Sequence, residues 1–227
     1  MSIHKRPFEC LRESGRGPTS RARILEAAAE VFAEHGYKNA TVREICRAAG
    51  ANVAAVNYYF GDKMKLYVEV LRSMLRAAYE KYPMSLGLPD NAPAEEKLHA
   101  FVKSFLLRIF DADNPVHCGR FMMREMLEPT GALDEVIVQE VAPKTAVLAS
   151  IVQALAPCPL SDAQIRRTCF SIVGQCVFYK HGLPLIMRLH PEARFDEAEL
   201  EQLARHITNF SLDGLRGFPN PAPKDKA

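Results

Sequence analysis

Residues 41–67, TVREICRAAGANVAAVNYYFGDKMKLY, constrain the fold of this chain more than any other stretch. Thr41 followed by Glu44 forms a capping box, which marks the start of a helix. Gly50 is the expected end of that helix, because glycine adopts a positive φ without strain. Asn52 is a suitable N-cap for a second short helix. The spacing therefore predicts a helix, a tight turn, a second helix and the start of a third.

Two short helices joined by a glycine-containing turn form a helix-turn-helix, whose second helix enters the major groove of DNA. Asparagine pairs bidentately with adenine, and small apolar side chains meet thymine methyl groups. Tyrosine and lysine are suited to phosphate oxygens. The predicted DNA-binding residues with these chemistries are Thr41, Asn52, Val53, Asn57, Tyr58, Tyr59 and Lys63.

Residues 19–67 resemble the N-terminal domain of TetR-family transcriptional regulators. The resemblance rests on RILEAAAEVFAEHGYKNATVREI followed by CRAAGANVAAVNYYFGDKMKLY. The segments AAVNYYFG and FSIVGQCVFYK also resemble a narrower group within that family, the CecR-like branch. Many family members carry tyrosine where this chain has Asn57, so this residue departs from the family pattern.

Length and charge agree with a DNA-binding head on a larger body. The chain has 227 residues, of which 48% are hydrophobic, enough to bury a sizeable core. Its net charge is only +2. However, residues 1–82 contain an excess of Lys and Arg, whereas the remainder is mildly acidic. This uneven distribution is typical of a basic DNA-binding part joined to a part of another kind.

Helical periodicity continues through the chain without a strand pattern, so we predict an all-α fold. In this prediction, a three-helix helix-turn-helix head precedes a larger helical ligand-binding and dimerisation domain. The predicted parts are a flexible basic arm over 1–17, a DNA-binding domain over 18–62, a regulatory and dimerisation domain over 63–216 and a disordered tail over 217–227. The long helix from Lys63 is predicted to link the head mechanically to the body.

Five helices are predicted in the body by their apolar spacing. They cover residues 94–111, 118–127, 131–156, 161–180 and 196–215. Pro143 falls inside the third of these helices, and it should kink or split that helix because proline lacks the backbone N–H.

The predicted helix over 161–180 is apolar on nearly every side, so it must be buried on two sides. One side is expected to face its own core and the other a partner subunit, where Gly174 permits close approach. The family resemblance implies a four-helix bundle made from the last two long helices of each subunit. The predicted dimer interface consists of Cys169, Ile172, Val173, Gly174, Cys176, Val177, Leu203, Ile207 and Phe210.

The resemblance also implies a ligand pocket among the middle helices. Such pockets are mostly apolar with a few polar groups, although each of these side chains would serve equally well in an ordinary core. The candidate pocket residues are Phe101, Phe105, Phe121, Met122, Glu125, Met126, Phe170 and Phe178. Glu125 is the candidate hydrogen-bond partner for a ligand. Arg124 and Glu128 fall on a polar stripe of the same helix, which we expect to be solvated.

Other chemistries find little support in the sequence. No nucleophile, base and acid occur in a recognisable catalytic motif, so we do not expect an enzyme. The six cysteines show no paired C-x-x-C spacing, which argues against a zinc site and fits reduced thiols in the cytoplasm. No run is apolar enough to span a membrane. We expect neither a metal nor a cofactor.

The sequence therefore predicts a cytoplasmic, homodimeric transcriptional repressor. Its expected partners are a palindromic double-stranded DNA operator, a second copy of itself and a small hydrophobic or amphipathic effector. The effector would favour a conformer whose heads are wrongly spaced for the operator. A ligand-independent DNA-organising protein of the same fold is the alternative.

Overall fold

The structure is a computed structural model that describes residues 19–111 and 118–218. Over these residues the only regular elements are helices, which confirms the all-α prediction. None of the described helices is both long enough and apolar enough to cross a membrane. The predicted basic arm over 1–17 lies outside the described residues, as does the predicted tail apart from its first two residues.

Eleven helices and one π-helical turn are found in the described part of the chain. They are α1 (Ser20–Asn39), α2 (Val42–Ala49), α3 (Val53–Phe60), α4 (Lys63–Lys81), α5 (Ala94–Phe110), α6 (Cys118–Leu127), α7 (Gly131–Val136), the π-helical turn (Ile137–Val141), α8 (Ala142–Leu155), α9 (Asp162–His181), α10 (Leu183–Leu189) and α11 (Glu197–Arg216).

The chain forms two compact units. The first contains the described residues of Met1–Lys81 and Asp111–Ala142, and the second contains those of Tyr82–Phe110 and Pro143–Ala227. The first unit thus holds α1–α4 with α6, α7 and the π-helical turn. The second holds α5, α9–α11 and nearly all of α8. This grouping differs from the predicted boundary after residue 62, since α4, α6 and α7 belong with the head.

One apolar core holds the first unit together. Phe32 of α1, Ile45 of α2, Val56 of α3 and Leu66 of α4 are all fully buried in it. Phe121 of α6 is buried in the same core. Burying one such side chain stabilises a fold by about 1.5–3 kcal/mol. The helix-turn-helix is therefore bound to α4 and α6 by the same hydrophobic force that joins its own helices.

The second unit has a separate core built from α5, α8, α9 and α11. Leu106, Leu148, Ile172 and Ile207, one from each of these helices, are fully buried in it. In contrast, α10 buries none of its residues. This short helix was not predicted, although Pro184 in its first turn is a recognised signal for a helix start.

The helix predicted over 131–156, with a kink or split at Pro143, continues as a helical backbone that contains a π-helical turn. α7 ends at Val136, the π-helical turn follows, and α8 begins at Ala142. Pro143 is the second residue of α8, so the break falls directly before the residue that lacks a backbone N–H. Wider π-helical turns of this kind occur where a regular helix is interrupted.

Candidate nucleic-acid interface

The capping box at the start of α2 is present as predicted. The hydroxyl oxygen of Thr41 accepts a hydrogen bond from the backbone N–H of Glu44 at 3.2 Å. The Glu44 carboxylate accepts hydrogen bonds from the hydroxyl and the backbone N–H of Thr41, at 2.8 and 2.9 Å. These bonds lower the pKa of Glu44. Gly50 ends the helix with a φ of 59°, as its position predicts.

The Thr41 hydroxyl is therefore engaged in capping α2, and Asn52 has a similar local role. Its side-chain oxygen accepts a hydrogen bond from the backbone N–H of Ala55 at 2.8 Å, which caps α3. Both residues are exposed. For Asn52, the amide oxygen already serves the helix end, so only the side-chain NH₂ group has no part in this cap.

α3 has one anchored side and one open side. Val56 and Phe60, spaced by four residues, are buried in the core of the first unit. Asn57 follows Val56 directly, so the helical rotation turns it outward, and it is exposed. Tyr58 is 83% exposed, although tyrosine is among the largest side chains. Together with the exposed Val53 and Tyr59, it gives this side of α3 an exposed apolar and aromatic surface.

The remaining predicted DNA-binding residues flank this open side. Val53 and Tyr59 are exposed, and the ring of Tyr59 lies 5.0 Å from that of Tyr58. Lys63 is half-buried, and burial lowers the pKa of its ammonium group. Its Nζ lies 4.5 Å from the ring centroid of Tyr37, a cation–π contact. All seven predicted residues thus lie in the first unit, and their contacts with DNA stay a prediction.

Tyr37 is a residue of this region that the sequence analysis missed. Besides holding Lys63, its ring lies 5.1 Å from that of Tyr67 on α4. The available signal was an aromatic residue directly after Gly36, at the end of α1. The sequence analysis also missed Lys65, which lies two residues after Lys63 and is exposed. Its backbone N–H donates to the carboxylate of Asp62 at 2.8 Å, so Asp62 caps the start of α4.

These features together define a helix-turn-helix protein. The first helix is capped, a left-handed glycine turn follows it, and the second helix exposes polar and aromatic side chains. Residues 24–70 match the family model described as bacterial regulatory proteins, tetR family. Residues 94–215, more than half of the chain, match the model of the "HTH-type transcriptional dual regulator CecR, C-terminal domain". The chain therefore belongs to the TetR family, in the group with a CecR-type C-terminal domain. It is a transcriptional regulator and not an enzyme.

Individual relatives agree with this membership. The chain is 26% identical over 212 residues to the HTH-type transcriptional dual regulator CecR of Shigella flexneri, covering 88% of this chain and 94% of the relative. It is 47% identical over 60 residues to the HTH-type transcriptional repressor AcnR of Corynebacterium glutamicum, covering 26% of this chain and 32% of that relative. Both comparisons place the protein among transcriptional regulators.

Solved structures share the fold at lower sequence identity. The fatty acid degradation regulator FadR from Bacillus halodurans matches with a TM-score of 0.59 and 19% identity, covering 88% of this chain and 98% of that chain. A transcriptional regulator from Rhodococcus sp. Rha1 matches with a TM-score of 0.59 and 20% identity, covering 88% of this chain and 100% of that chain. At this identity, the likeness concerns the fold alone.

The candidate pocket residues are divided between the two units. Four lie on α6 in the first unit, namely Phe121, Met122, Glu125 and Met126, and four lie on α5 and α9 in the second unit, namely Phe101, Phe105, Phe170 and Phe178. Met126, Phe170 and Phe178 are exposed. These three side chains therefore do not line an enclosed pocket in the chain, contrary to the prediction. Apolar composition alone does not distinguish a pocket wall from a surface.

Glu125 has a different role from the predicted one. It is only 1% exposed, and its carboxylate accepts a hydrogen bond from the Tyr67 hydroxyl at 2.8 Å. It also accepts bonds from the backbone N–H and the hydroxyl of Thr130, at 2.9 and 3.0 Å. Burial, reinforced by the bond to Glu125, raises the pKa of Tyr67. The carboxylate thus ties α6 to α4 and is already satisfied without a ligand.

Five predicted dimer residues face inward instead of toward a partner. They are Cys169, Ile172, Cys176, Leu203 and Ile207, all buried in the core of the second unit. For Cys176, burial raises the pKa of the thiol to about 12. The inward position of these five residues has a simple physical cause. α9 is apolar nearly all round, so the sequence presents two apolar stripes, and only its packing against other helices decides which stripe is inside.

The outward stripe of α9 contains residues that the sequence analysis divided between two sites. Phe170, which is 68% exposed, Gly174 and Phe178 are all exposed and follow one another at intervals of four residues, so they form one row. Val173 and Val177 are half-buried beside this row. On α11, the outward side carries Phe210, which is 63% exposed. We call Phe170, Gly174, Phe178 and Phe210 the outer apolar surface.

Proposed function

We propose that the protein is a homodimeric repressor that reads a palindromic operator through α3 and is released by a small hydrophobic or amphipathic molecule. The proposal of operator recognition rests on the open side of α3. There Asn57 and Tyr58 are exposed on a helix that is anchored by the buried Val56 and Phe60. An asparagine in the major groove selects adenine, while neighbouring tyrosine hydroxyls bind phosphate. The protein acts on the chromosome, and hence in the cytoplasm.

The proposal of repression draws on a named relative. AcnR of Corynebacterium glutamicum, which is similar over 60 residues, is a transcriptional repressor. The longer relative, CecR of Shigella flexneri, is a dual regulator. A dimer seated on an operator represses when the operator overlaps a promoter, and it activates from other positions. The mode of action then follows from the site of binding, while the DNA-binding mechanism is the same.

The proposal of a homodimer draws on the outer apolar surface. A single helix-turn-helix contacts only a few base pairs, whereas a two-fold dimer reads two half-sites about 34–36 Å apart. The second copy is the occupant that fits, because a two-fold axis pairs the same apolar patch with itself. Phe170 and Phe178 supply the area on either side of Gly174. With no Cβ, this glycine permits two α9 helices to approach closely.

The proposal of release by an effector draws on the composition of the first unit. α6 shares the core of the helix-turn-helix through Phe121, and it also carries the half-buried Met122. Met122 is a candidate pocket residue whose apolar side chain is partly accessible, and it lies in the same unit as the head. An effector that displaced α6 would displace the head with it. Coupling between two such sites is typically about 1–3 kcal/mol, a change in operator affinity of about 5–150-fold.

Operator binding is tested by recovering preferred duplexes from a random DNA library with the full chain, then titrating the best palindrome at several salt concentrations. We expect log K to fall with log[salt], with a slope of about −0.9 for each phosphate contacted. Binding that does not respond to salt would refute the DNA-binding mechanism. Recovery of many unrelated sequences with similar affinity would support the DNA-organising alternative.

Release is tested by a thermal-shift screen of aromatic and amphipathic compounds, followed by operator titration with each compound that stabilises the protein. We expect at least one such compound to weaken operator binding, and operator DNA to weaken binding of that compound by the same factor. Met122→Glu should abolish the response and leave operator affinity unchanged. If no stabilising compound changes operator affinity, release by an effector is wrong.

A further inference from the structure

The end of α1 is interrupted immediately before the helix-turn-helix. Gly36 has a φ of 73° and a ψ of 172°, which is not helical. The regular part of α1 thus stops at His35, and Tyr37–Asn39 form a separate turn that leads into the N-cap of α2. The contacts that fix this turn therefore also fix the direction in which α2 and α3 leave α1.

Arg124 of α6 occupies the space beside this glycine. A Cβ atom on Gly36 would lie 2.7 Å from Nη1 of Arg124, closer than a real Cβ contact. The absence of a side chain at Gly36 is thus what admits the guanidinium group. Gly36 at the end of α1 and Arg124 on α6, which the sequence analysis expected to be solvated, thus form one contact.

The guanidinium group also caps the regular part of α1. Its Nη1 donates a hydrogen bond to the backbone carbonyl of Phe32 at 3.2 Å. Phe32 lies in the last turn before the interruption, and its carbonyl has a second lone pair that can accept from the guanidinium group. The carbonyls of a last turn carry the negative end of the helix dipole, which a cation stabilises. Arg124 is therefore half-buried and bonded, contrary to the expectation that it is solvated.

Neighbouring contacts hold Arg124 in register with α1. The next residue, Glu125, is anchored in the interior by its hydrogen bond with Tyr67 of α4. One turn further on, Glu128 pairs with Lys38 at 3.2 Å. Both members of that pair are mostly exposed, so its contribution to stability is small. The buried bond of Glu125 therefore fixes this end of α6 relative to α4. Arg124, on the same end of α6, contacts the turn at Gly36 and so fixes the turn relative to α6.

We propose that Arg124 is a positioning residue for operator recognition. Its guanidinium group holds the turn at Gly36 in the geometry from which α2 and α3 are aimed, and it does so without touching DNA. This inference rests on the proposed operator binding by α3. Removing the side chain should leave the first unit folded, because Arg124 is half-buried at the edge of a cavity of about 180 Å³ and is not part of the apolar core.

Positioning and direct contact with DNA predict different salt behaviour. An arginine that binds a phosphate releases a counterion, so its removal reduces the steepness of the plot of log K against log[salt] by about 0.9. Removing a positioning arginine leaves the number of phosphate contacts unchanged. It also affects base reading more than phosphate attraction, since hydrogen bonds to base edges depend on accurate placement of α3.

The test uses the full chain, the best palindrome recovered by the wild-type protein and a random duplex of equal length. For Arg124→Ala, we expect a loss of about 2–30-fold on the palindrome, the range for substitutions that act through a coupled contact. On the random duplex the affinity should change by less than about twofold, with an unchanged salt slope. Arg124→Lys, which retains a cationic donor, should recover part of the loss.

Glu128→Gln is the matched comparison, because it weakens only the exposed ion pair with Lys38 of the same turn, which contributes little, and leaves the contact between Arg124 and Gly36 intact. It should behave as wild type on both duplexes. If Arg124→Ala loses helix content by circular dichroism, Arg124→Gln retains more of the side chain and must give the same pattern.

Two results would overturn the inference while operator binding by the wild type stands. Equal losses on both duplexes with a shallower salt slope would make Arg124 a phosphate contact. Unchanged affinity for the palindrome would give it no part in recognition. A wild-type chain that selects no sequence would instead refute the proposed function itself.

Discussion

Replacing Gly174 by leucine separates the energetics of a single subunit from those of the proposed dimer. In the subunit, a Cβ at this position would meet no heavy atom within 4 Å, so the larger side chain causes no clash. Glycine in a helix interior is about 1 kcal/mol less favourable than alanine, and leucine is close to alanine. Gly174→Leu should therefore stabilise an isolated subunit by about 0.5–1 kcal/mol.

In the proposed dimer, the same change acts in the opposite direction. Two leucine side chains would enter the contact between the α9 helices, one from each subunit. Overpacking typically costs about 1–3 kcal/mol for each site, or roughly 2–6 kcal/mol for the pair. Since 1.4 kcal/mol corresponds to a factor of ten, we expect dimer dissociation to become easier by about 30-fold or more.

Sedimentation equilibrium over a dilution series measures the dimer dissociation constant, and thermal unfolding at high dilution measures the stability of the subunit. Gly174→Ala is the matched control, because it gains the same helix preference and adds only a methyl group. A leucine variant with raised stability and an unchanged dissociation constant would place Gly174 outside the interface. A leucine variant that unfolds more easily as a monomer would contradict its exposure.

Three further predictions concern the first unit. Asn57→Ala should weaken binding to the selected palindrome by about 1–3 kcal/mol and binding to random DNA by less, measured by fluorescence anisotropy; equal losses would show that Asn57 reads no base. Thr41→Ala should remove the capping box and lower the free energy of unfolding by about 1 kcal/mol, and an unchanged denaturation midpoint would refute this. The folded-state pKa of Tyr67 is raised above its ordinary value of about 10, so its stabilising contribution is complete below pH 10 and is lost as the pH rises beyond it. Denaturant unfolding should therefore show the stability difference between wild type and Tyr67→Phe shrinking from pH 9 to pH 11, whereas a constant difference would contradict the raised pKa.

Local residue spacing was sufficient to predict the architecture of the helix-turn-helix. The capping pair of Thr41 and Glu44 is readable because both partners lie three residues apart, within one helical turn. The same holds for Ser161 and Gln164, which form a second capping box at the start of α9. The interruption before Pro143 is equally local. Such features depend on backbone geometry over a few residues, so they require no knowledge of what packs nearby.

In contrast, which apolar surfaces are buried depends on how whole helices pack together. α9 presents two apolar stripes of similar composition, and the packing of α5 and α11 placed Ile172 in the core and Phe170 in solvent. Hydrophobic burial depends on area and not on direction, so spacing alone could not choose between the stripes.

The same limit applies to the support of the DNA-binding head. Arg124 reaches the carbonyl of Phe32 across 92 residues of sequence, and Glu125 reaches Tyr67 across 58. No periodicity marks such pairs, because a hydrogen bond between distant segments leaves no local pattern. The helix-turn-helix was therefore visible in the sequence, whereas the contacts of α6 with α1 and α4 emerged only from the fold.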